Sequence, residues 1–255
     1  MQLHFTYQDQ PYFFDSKQAC DISLPLQAGN DNPNCYYASA VRAETIRQGT
    51  FVGSVAEGGP CNYQRLTVTP HGNGTHTECY GHLSADPEAT IWQQVHEYLF
   101  LAELITLPTR RQENDDQLVT FTDFERAVRQ SVPEAVVIRT LPNGNGKRTR
   151  QYSGTNPPYL EPAICGWLAD AGVKHLLVDL PSVDRESDGG LLAAHRAFWQ
   201  FPQRTRREAT ITELIYVDNS LPDGRYLLQL QVTSLCTDAS PSRPVLYPLR
   251  QIANR

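Results

Sequence analysis

The sequence predicts an α/β protein, because helix-like segments and continuous apolar strands alternate along the chain. Residues 135–139 and 175–180 are apolar runs of the length and composition of buried strands. A helix-like segment precedes each run, at residues 124–130 and 160–171. Helix followed by strand, twice over, is the pattern of an α/β domain.

Both predicted helices carry end signals. Thr122 stands three residues before Glu125, which is the spacing of an N-terminal capping box. Gly172 follows the second helix, where a glycine commonly forms the C-terminal cap.

Three further strands are predicted, at residues 65–68, 210–217 and 225–232. The turn-rich segment 219–224 separates the last two and predicts a hairpin between them. With no repeat, low-complexity segment or Pro/Gly/Ser-rich linker in the 255 residues, a single domain over residues 1–255 is expected.

Composition and charge exclude several classes of protein. The net charge is −6 and basic residues are not clustered, so a nucleic-acid partner is not expected. The short basic run 147–150 adjoins Asn and Gly residues and predicts an exposed turn. Residues 98–107 form the longest apolar stretch, too short to span a membrane. Without a signal peptide, the six scattered cysteines favour free thiols in a reducing cytoplasm over a disulfide framework.

The segment 71–82 is the most informative, since it holds three of the seven histidines and a glutamate. Imidazole and carboxylate groups are the usual ligands of zinc and manganese. In an extended chain, His76 and Glu78 point to the same face because side chains alternate with period two. One face can therefore offer a nitrogen and an oxygen to one ion.

Two glycines precede this pair and let the backbone bend. Gly72 and Gly74 allow His71 to reach the same ion, and His82 is free to be a further ligand or a proton carrier. The alternative interpretation is a polar turn whose histidines are only solvated or hydrogen-bonded.

A second polar cluster follows the strand at residues 175–180. Asp179, Ser182 and Asp184 stand at a strand end, where α/β folds often place functional groups. Taken alone, these residues are more typical of a loop stabilised by Asx and Ser turns. His195 alone is more typical of a helix-surface histidine.

Together these segments resemble the cyclase family, which includes bacterial kynurenine formamidases and isatin hydrolase. The run Gly74-Thr75-His76-x-Glu78-x-Tyr80-x-His82 fits the frame of the family signature. Residues 21–26 resemble its opening segment, residues 177–184 its Asp-x-x-Ser-x-Asp segment, and residues 238–243 its closing Gly-Ser-Pro-x-Arg segment. The resemblance covers most of the chain.

The resemblance implies a swivelling β/β/α domain, one or two divalent ions (zinc or manganese) and a homodimer or higher homo-oligomer. It implies metal ligands at His71, His76, Glu78, His195 and Glu213. It assigns His82 to proton transfer or metal contact. The implied activity is hydrolysis of a small amide, lactam or ester, at a carbon–nitrogen bond other than a peptide bond.

Three positions depart from the family signature. Gly72 occupies the position of the first family histidine, so a one-residue insertion must bulge for His71 to bind. Glu78 replaces Asp, and Tyr80 replaces Pro. We expect the last two changes to reshape the pocket wall, so that N-formylkynurenine is not the best substrate. The alternative is a binding protein that retains the fold with a degraded metal site.

Overall fold

The computed structural model describes residues 1–129 and 132–251. Its strands, in chain order, are β1 (Gln2–Tyr7), β2 (Gln10–Asp15), β3 (Cys20–Asp21), β4 (Arg42–Thr45), β5 (Arg47–Gln48), β6 (Phe51–Val52), β7 (Gln64–Thr67), β8 (His76–Cys79), β9 (Leu99–Pro108), β10 (Arg110–Arg111), β11 (Gln117–Val119), β12 (Ala135–Leu141), β13 (Tyr159–Leu160), β14 (His175–Val178), β15 (Thr210–Glu213), β16 (Gly224–Val232), β17 (Ala239–Pro248) and β18 (Arg250–Gln251). Its α-helices are α1 (Ile91–Gln94), α2 (Phe121–Ala127), α3 (Pro162–Asp170) and α4 (Ala193–Trp199). Short 3-10 turns lie at Val55–Glu57, Pro70–Gly72, Tyr80–Leu83 and Asn145–Arg148.

A mixed sheet that closes on itself forms the centre of the fold. Strands β9, β12, β14 and β15 run parallel in that order. Antiparallel neighbours β8, β17 and β16 lead from β15 back to β9 and close the sheet. Every residue of β14 is buried, as expected for a parallel strand covered on both faces. The α/β class predicted from the sequence is confirmed.

The two faces of the sheet pack against different partners. Val136 and Ile138 of β12 face the side where α2, α3 and α4 pack, with Phe124 and Trp199 among their buried neighbours. Val137, between them, faces the opposite side and joins a second buried cluster. The alternation follows from the pleat of the strand and places the helices outside the closed sheet.

The helix ends differ in detail from the predicted ones. Helix α2 begins three residues earlier than expected, because Thr120, not Thr122, accepts the backbone N–H of Asp123, at 3.2 Å. Gln130, the predicted last residue, lies outside the described residues. Gly172 follows α3 in the left-handed conformation, with φ +82°, as its predicted capping role requires.

The predicted hairpin between residues 210–217 and 225–232 is wrong. Strand β15 pairs with β14 and β8, whereas β16 pairs with β9 and β17. Leu214 adopts a left-handed conformation, with φ +54°, which ends β15 at Glu213. The chain then crosses the fold, and Ile215 and Val217 enter the second buried cluster.

The basic run is not simply an exposed turn. Lys147 extends its ammonium group to the buried carboxylate of Asp179, with Nζ 2.8 Å from Oδ2, and it also donates to the carbonyl of Thr140. A buried carboxylate needs such a partner, because an unpaired charge is costly inside a protein. Asp179 therefore stabilises the fold at the end of β14.

Three observations bear on the other expectations from composition. No helix in the described part of the chain is long and apolar enough to cross a membrane. All six cysteines are free thiols, as the sequence indicated. Residues 42–67 form a largely exposed ribbon, in which β4 pairs with β7 and β5 with β6.

Candidate metal centre

The pairing of β8 with its two neighbours assembles the site. In β8, His76 and Glu78 are both buried and lie two residues apart on one face, as the alternation predicted. The antiparallel register with β15 puts Glu213 opposite His76. The register with β17 puts Ala239 opposite Glu78, which brings the preceding Asp238 to the cluster.

Glu78 lies at the centre of the cluster. Its Oε2 is 3.1 Å from Nδ1 of His71 and 3.8 Å from Nδ1 of His82. Its Oε1 is 2.9 Å from Nε2 of His195. Glu213 completes the group, with Oε2 3.4 Å from Nε2 of His76 and Oε1 3.7 Å from Nε2 of His195. The structure therefore brings all six predicted site residues together.

The turn Pro70–Gly72 brings His71 into this cluster despite the shifted position of the histidine. The N–H groups of Gly72 and Asn73 both donate to the carbonyl of Thr69, which tightens the chain just before β8. A Cβ at Gly72 would lie 2.3 Å from the Cβ of Ala38, so the close approach of these segments requires glycine. The expected bulge is therefore present, and it directs His71 towards Glu78.

Three histidines share one hydrogen-bonding arrangement. Each places one ring nitrogen against an oxygen that is not among the predicted metal ligands: His71 Nε2 on Asp238 at 2.8 Å, His76 Nδ1 on the Gly74 carbonyl at 3.0 Å, and His195 Nδ1 on Asp184 at 2.6 Å. When these nitrogens donate, the other nitrogen of each ring presents a lone pair. That is the arrangement by which metal-binding histidines are oriented in proteins.

Two buried polar atoms at the centre support metal binding. His76 Nε2 and Glu78 Oε2 make no hydrogen bond of normal geometry among the described residues, although Oε2 keeps its 3.1 Å charge contact with His71. His71, His76 and Glu78 each offer a ligand atom within 4.8 Å of the others, and so do Glu78, His82 and His195. Nitrogen and oxygen donors at this spacing suit zinc or manganese, and an ion would satisfy both orphaned atoms.

The protonation of the cluster reflects the central carboxylate. Burial disfavours charge on His71, but its contacts with Asp238 and Glu78 outweigh burial and raise its pKa to about 10. Burial likewise opposes charge on His195, and the negative charges of Glu78 and Asp184 raise its pKa well above the usual value. Burial would raise the pKa of Glu78, yet the surrounding histidines lower it. Without an ion, the cluster therefore holds protons on histidine at neutral pH.

A cavity of about 300 Å³ opens beside the cluster. Its lining includes five residues of the cluster, His71, Glu78, His82, His195 and Glu213, together with Tyr36, Ser182, Arg185, Glu186, Asp188 and Leu192. Burial, together with the charge of Glu213, raises the pKa of the Tyr36 phenol, so its hydroxyl is protonated at neutral pH.

Tyr80 is not among the residues lining this cavity, so the expectation that it reshapes the pocket wall is wrong. The side chain of Tyr80 is buried in the hydrophobic core between the sheet and the helices, and the guanidinium of Arg207 lies over its ring. The 3-10 turn Tyr80–Leu83 ends the alternation of β8, which is why Tyr80 does not share the face of Glu78.

Sequence reasoning missed Asp238 and Tyr36, and it named Asp184 as a candidate without pairing it with His195. Asp238 contacts both His71 and His82, and Asp184 holds His195 and accepts the N–H groups that begin α4. Both lie in segments that resemble the family, so their position in those motifs was an available signal. Tyr36 had no such signal, because its place in the cavity depends on a turn remote from every motif.

Solved structures resemble this fold over nearly the whole chain. Isatin hydrolase A from Labrenzia aggregata, bound to benzyl benzoate, has a TM-score of 0.64 at 14% identity, over 91% of this chain and 94% of that chain. A potential metal-dependent hydrolase with cyclase activity has a TM-score of 0.62 at 17% identity, over 90% and 98% of the two chains. At these identities the likeness is one of fold.

Sequence comparison gives a narrower relationship. The kynurenine formamidase of Bacillus cytotoxicus is 27% identical over 235 residues, covering 90% of this chain and 97% of the relative. That of Bacillus cereus is 27% identical over 197 residues, covering 77% and 85%. The model of the Cyclase family matches residues 6–185, well over half of the chain. The chain belongs to the Cyclase family.

Proposed function

We propose that the protein is a metal-dependent hydrolase that cleaves a small amide, lactam or ester. Kynurenine formamidase relatives and isatin hydrolase neighbours support an amide-hydrolysing enzyme that acts on C–N bonds other than peptide bonds. The observation that carries the metal dependence is the convergence of three oriented histidines on the carboxylates of Glu78 and Glu213, with the buried His76 Nε2 left without a hydrogen-bond partner.

The residues that would hold one or two divalent ions are His71, His76, Glu78, His195 and Glu213. When bound, such an ion polarises the scissile carbonyl and makes a water molecule acidic enough to act as the nucleophile near neutral pH. Nitrogen and oxygen ligands favour Zn²⁺ or Mn²⁺. Glu213 is itself held, because its Oε1 accepts the backbone N–H of Val183 at 3.0 Å.

We assign to His82 the transfer of a proton to the leaving group. Its side chain is partly exposed and lines the cavity, and its Nδ1 lies 3.3 Å from Oδ2 of Asp238. A histidine oriented by a carboxylate is suited to carry a proton to the leaving nitrogen or oxygen. Asp238 contacts His71 with the same oxygen, so this carboxylate links the proton carrier to the cluster.

The test combines metal analysis with a substrate panel. Purified protein, loaded separately with zinc and manganese, is expected to retain close to one or two ions per chain and to hydrolyse at least one arylformamide, lactam or ester. N-formylkynurenine is included, and we expect another member of the panel to have a higher kcat/KM. Binding of less than about a tenth of an ion per chain would overturn the metal dependence. A kcat/KM for N-formylkynurenine that is the highest of the panel and above about 10⁴ M⁻¹s⁻¹ would overturn the substrate expectation.

We further propose that the enzyme works in the cytoplasm as a homo-oligomer assembled through the exposed ribbon of residues 42–67. An isolated two-stranded ribbon is only marginally stable in water, so a covering surface is expected. Val55, Tyr63 and Leu66 on this ribbon are each more than half exposed. The ribbon carries three arginines against two glutamates, whereas the rest of the chain has 19 basic and 26 acidic residues. This slight positive charge complements the acidic body of a second copy.

Light scattering after size-exclusion chromatography tests this assembly. The protein is expected to elute as a dimer or larger, and the double variant Tyr63→Glu/Leu66→Glu as a monomer. Trp92→Glu is the matched control, because Trp92 is a similarly exposed aromatic residue on α1. A monomeric wild-type protein, or a double variant that assembles normally, would contradict the proposal.

A further inference from the structure

We propose that a second pocket of this protein binds a small organic monocarboxylate with an apolar body. This basal pocket has a volume of about 230 Å³, and its lining includes Val95, Glu97, Phe100, Lys174, His175 and Glu208. It opens beside His175, the first residue of β14, which pairs with Thr210, the first residue of β15. Glu213 ends β15, three residues and roughly 10 Å further along the extended strand. The basal pocket is therefore separate from the candidate metal centre.

His175 is the buried polar group of the basal pocket. It is 4% exposed, and its ring packs on that of Phe100 with 3.9 Å between the centroids. Its Nδ1 lies 2.8 Å from Oγ1 of Thr210, whereas Nε2 has no hydrogen-bond partner among the described residues. Nε2 is not one of the fully enclosed atoms that lack a partner, so it remains accessible through the pocket. A buried polar group with one open position needs a partner, and a ligand in the pocket can supply it.

The contact with Thr210 decides which nitrogen of His175 carries the proton. Thr210 is fully buried, and within the described part of the chain its hydroxyl contacts no hydrogen-bond partner except Nδ1. The hydroxyl therefore donates to Nδ1, because a buried hydroxyl proton without an acceptor would be costly. Burial lowers the pKa of His175 to about 3, and the positive charges of Lys174 and Arg206 lower it further, so the ring is uncharged at neutral pH. His175 thus presents an N–H donor at Nε2, and the ligand must present an acceptor.

The charge beside this donor favours an anionic acceptor. Lys174 precedes His175 in the chain and lines the same pocket. Its Nζ lies 3.6 Å from Oε1 of Glu134, longer than the roughly 2.7–2.9 Å of a charged hydrogen bond, so the ammonium group can still donate to a ligand. Glu97 and Glu208 oppose an anion, but both are exposed and solvent screens their charges. An N–H donor next to an ammonium group therefore suits a carboxylate.

The size and walls of the basal pocket indicate the rest of the ligand. Val95 and Phe100 are at most 5% exposed and give the pocket an apolar side. A volume of about 230 Å³ exceeds the roughly 150 Å³ of a cavity that holds benzene, so a ring with one substituent fits. A bare metal ion does not suit the pocket, because in the described residues the groups with three close ligand atoms all lie in the metal cluster. The expected ligand is a carboxylate on a small apolar body.

Fluorine NMR with three matched probes tests this site on the zinc-loaded protein. The probes 4-fluorobenzoate, 4-fluorobenzamide and 4-fluorobenzylamine share one ring and differ in the charge of the substituent. We expect 4-fluorobenzoate to bind with a Kd of about 1 mM or tighter. The uncharged amide and the cationic amine are expected to bind several-fold more weakly, because neither offers a charged acceptor to His175 and Lys174.

Two variants locate the bound carboxylate. Lys174→Gln should weaken 4-fluorobenzoate binding by about two- to fivefold, and His175→Leu by roughly tenfold or more, with zinc content unchanged. Lys174 is only partly buried, so its variant decides the question even if His175→Leu does not fold. Lys17→Gln is the matched control, because Lys17 is an exposed lysine outside the pocket lining.

A carboxylate that binds only to zinc in the metal cluster would keep its affinity in Lys174→Gln, and that result would overturn the proposal. Equal or tighter binding of the amide or the amine would also overturn it, as would an equal loss in Lys17→Gln or no detectable binding of 4-fluorobenzoate. None of these measurements requires turnover, so the proposed hydrolase function and this second site can fail separately.

Discussion

Asp184→Asn gives a sharp test of the metal centre, because this change alters a hydrogen bond to one ligand and leaves every predicted ligand in place. Asp184 is buried and accepts three donors: Nδ1 of His195 at 2.6 Å, the N–H of His195 at 3.1 Å and the N–H of Ala194 at 2.7 Å. Asparagine keeps one acceptor oxygen and introduces an NH₂ group. If the amide oxygen stays on the N–H of Ala194, the NH₂ group takes the place of Oδ2 and faces both the N–H and Nδ1 of His195, which favours the tautomer protonated at Nε2.

The expected loss of metal affinity follows from the hydrogen bond between Asp184 and His195 Nδ1. A hydrogen bond to a charged acceptor contributes about 1.5–3 kcal/mol. Residues that orient metal-binding histidines typically change metal affinity by roughly 10- to 100-fold. Since about 1.4 kcal/mol corresponds to a factor of ten, the two magnitudes agree. We therefore expect Asp184→Asn to bind zinc and manganese about 10- to 100-fold more weakly, as measured by competition with a chromogenic chelator.

Asp188→Asn is the matched control for this experiment. Asp188 lies in the same loop and accepts two backbone N–H groups, from Gly190 and Leu192, but no histidine is among its hydrogen-bond partners in the described residues. Its replacement should lower thermal stability while leaving metal affinity within about threefold. Unchanged metal affinity in Asp184→Asn, or an equal loss in Asp188→Asn, would refute the assignment of His195 as an oriented ligand.

Three further outcomes are expected. His82→Ala should lower kcat by a factor of about 10² to 10⁴ with the metal retained; loss of metal in elemental analysis would make His82 a ligand. At pH 7 the binding of an ion should release about one to two protons, because the raised pKa values of His71 and His195 keep both rings protonated without metal. Affinity should then weaken as pH falls, and calorimetric heats that do not depend on the buffer would contradict this. Gly72→Ala should lower the Tm by several degrees through its clash with Ala38, with partial recovery on adding Ala38→Gly; an unchanged Tm would contradict the requirement for glycine.

Local sequence signals predicted those strands that are buried along their whole length. The run at residues 135–139 reads as a buried strand because β12 is covered on both faces. The start of α2 shows the limit of such signals. Thr120 and Thr122 each precede an acidic residue by three positions, so the sequence alone does not choose between them. The structure uses Thr120, whose side chain accepts from Asp123.

In the candidate site, too, some features follow from the local sequence and others depend on how distant segments pack. The shared face of His76 and Glu78 follows from strand geometry and could be predicted locally. The approach of His195 and Glu213 came only from resemblance, because over a hundred residues separate each of them from β8. Their proximity depends on the pairing register of β15 and on the placement of α4, and neither is encoded in local spacing. The false hairpin has the same origin, since turn residues at 219–224 signal a turn but not which strands pair.

The structure also bears on the alternative of a degraded metal site. Gly72 replaces the expected first histidine, yet the turn before β8 directs His71 to Glu78, so the ligand is displaced by one residue and not lost. Without an ion, the buried His76 Nε2 has no hydrogen-bond partner in the described residues, at a cost of about 1–3 kcal/mol. Glu78 Oε2 makes no geometric hydrogen bond either, and its ion pair with His71 at 3.1 Å only partly offsets its burial. A binding protein that had abandoned the metal would gain stability from replacing either group with an apolar one. This retained cost of burial, together with the carboxylates that orient the rings of His71 and His195, favours a site that functions with its ion bound.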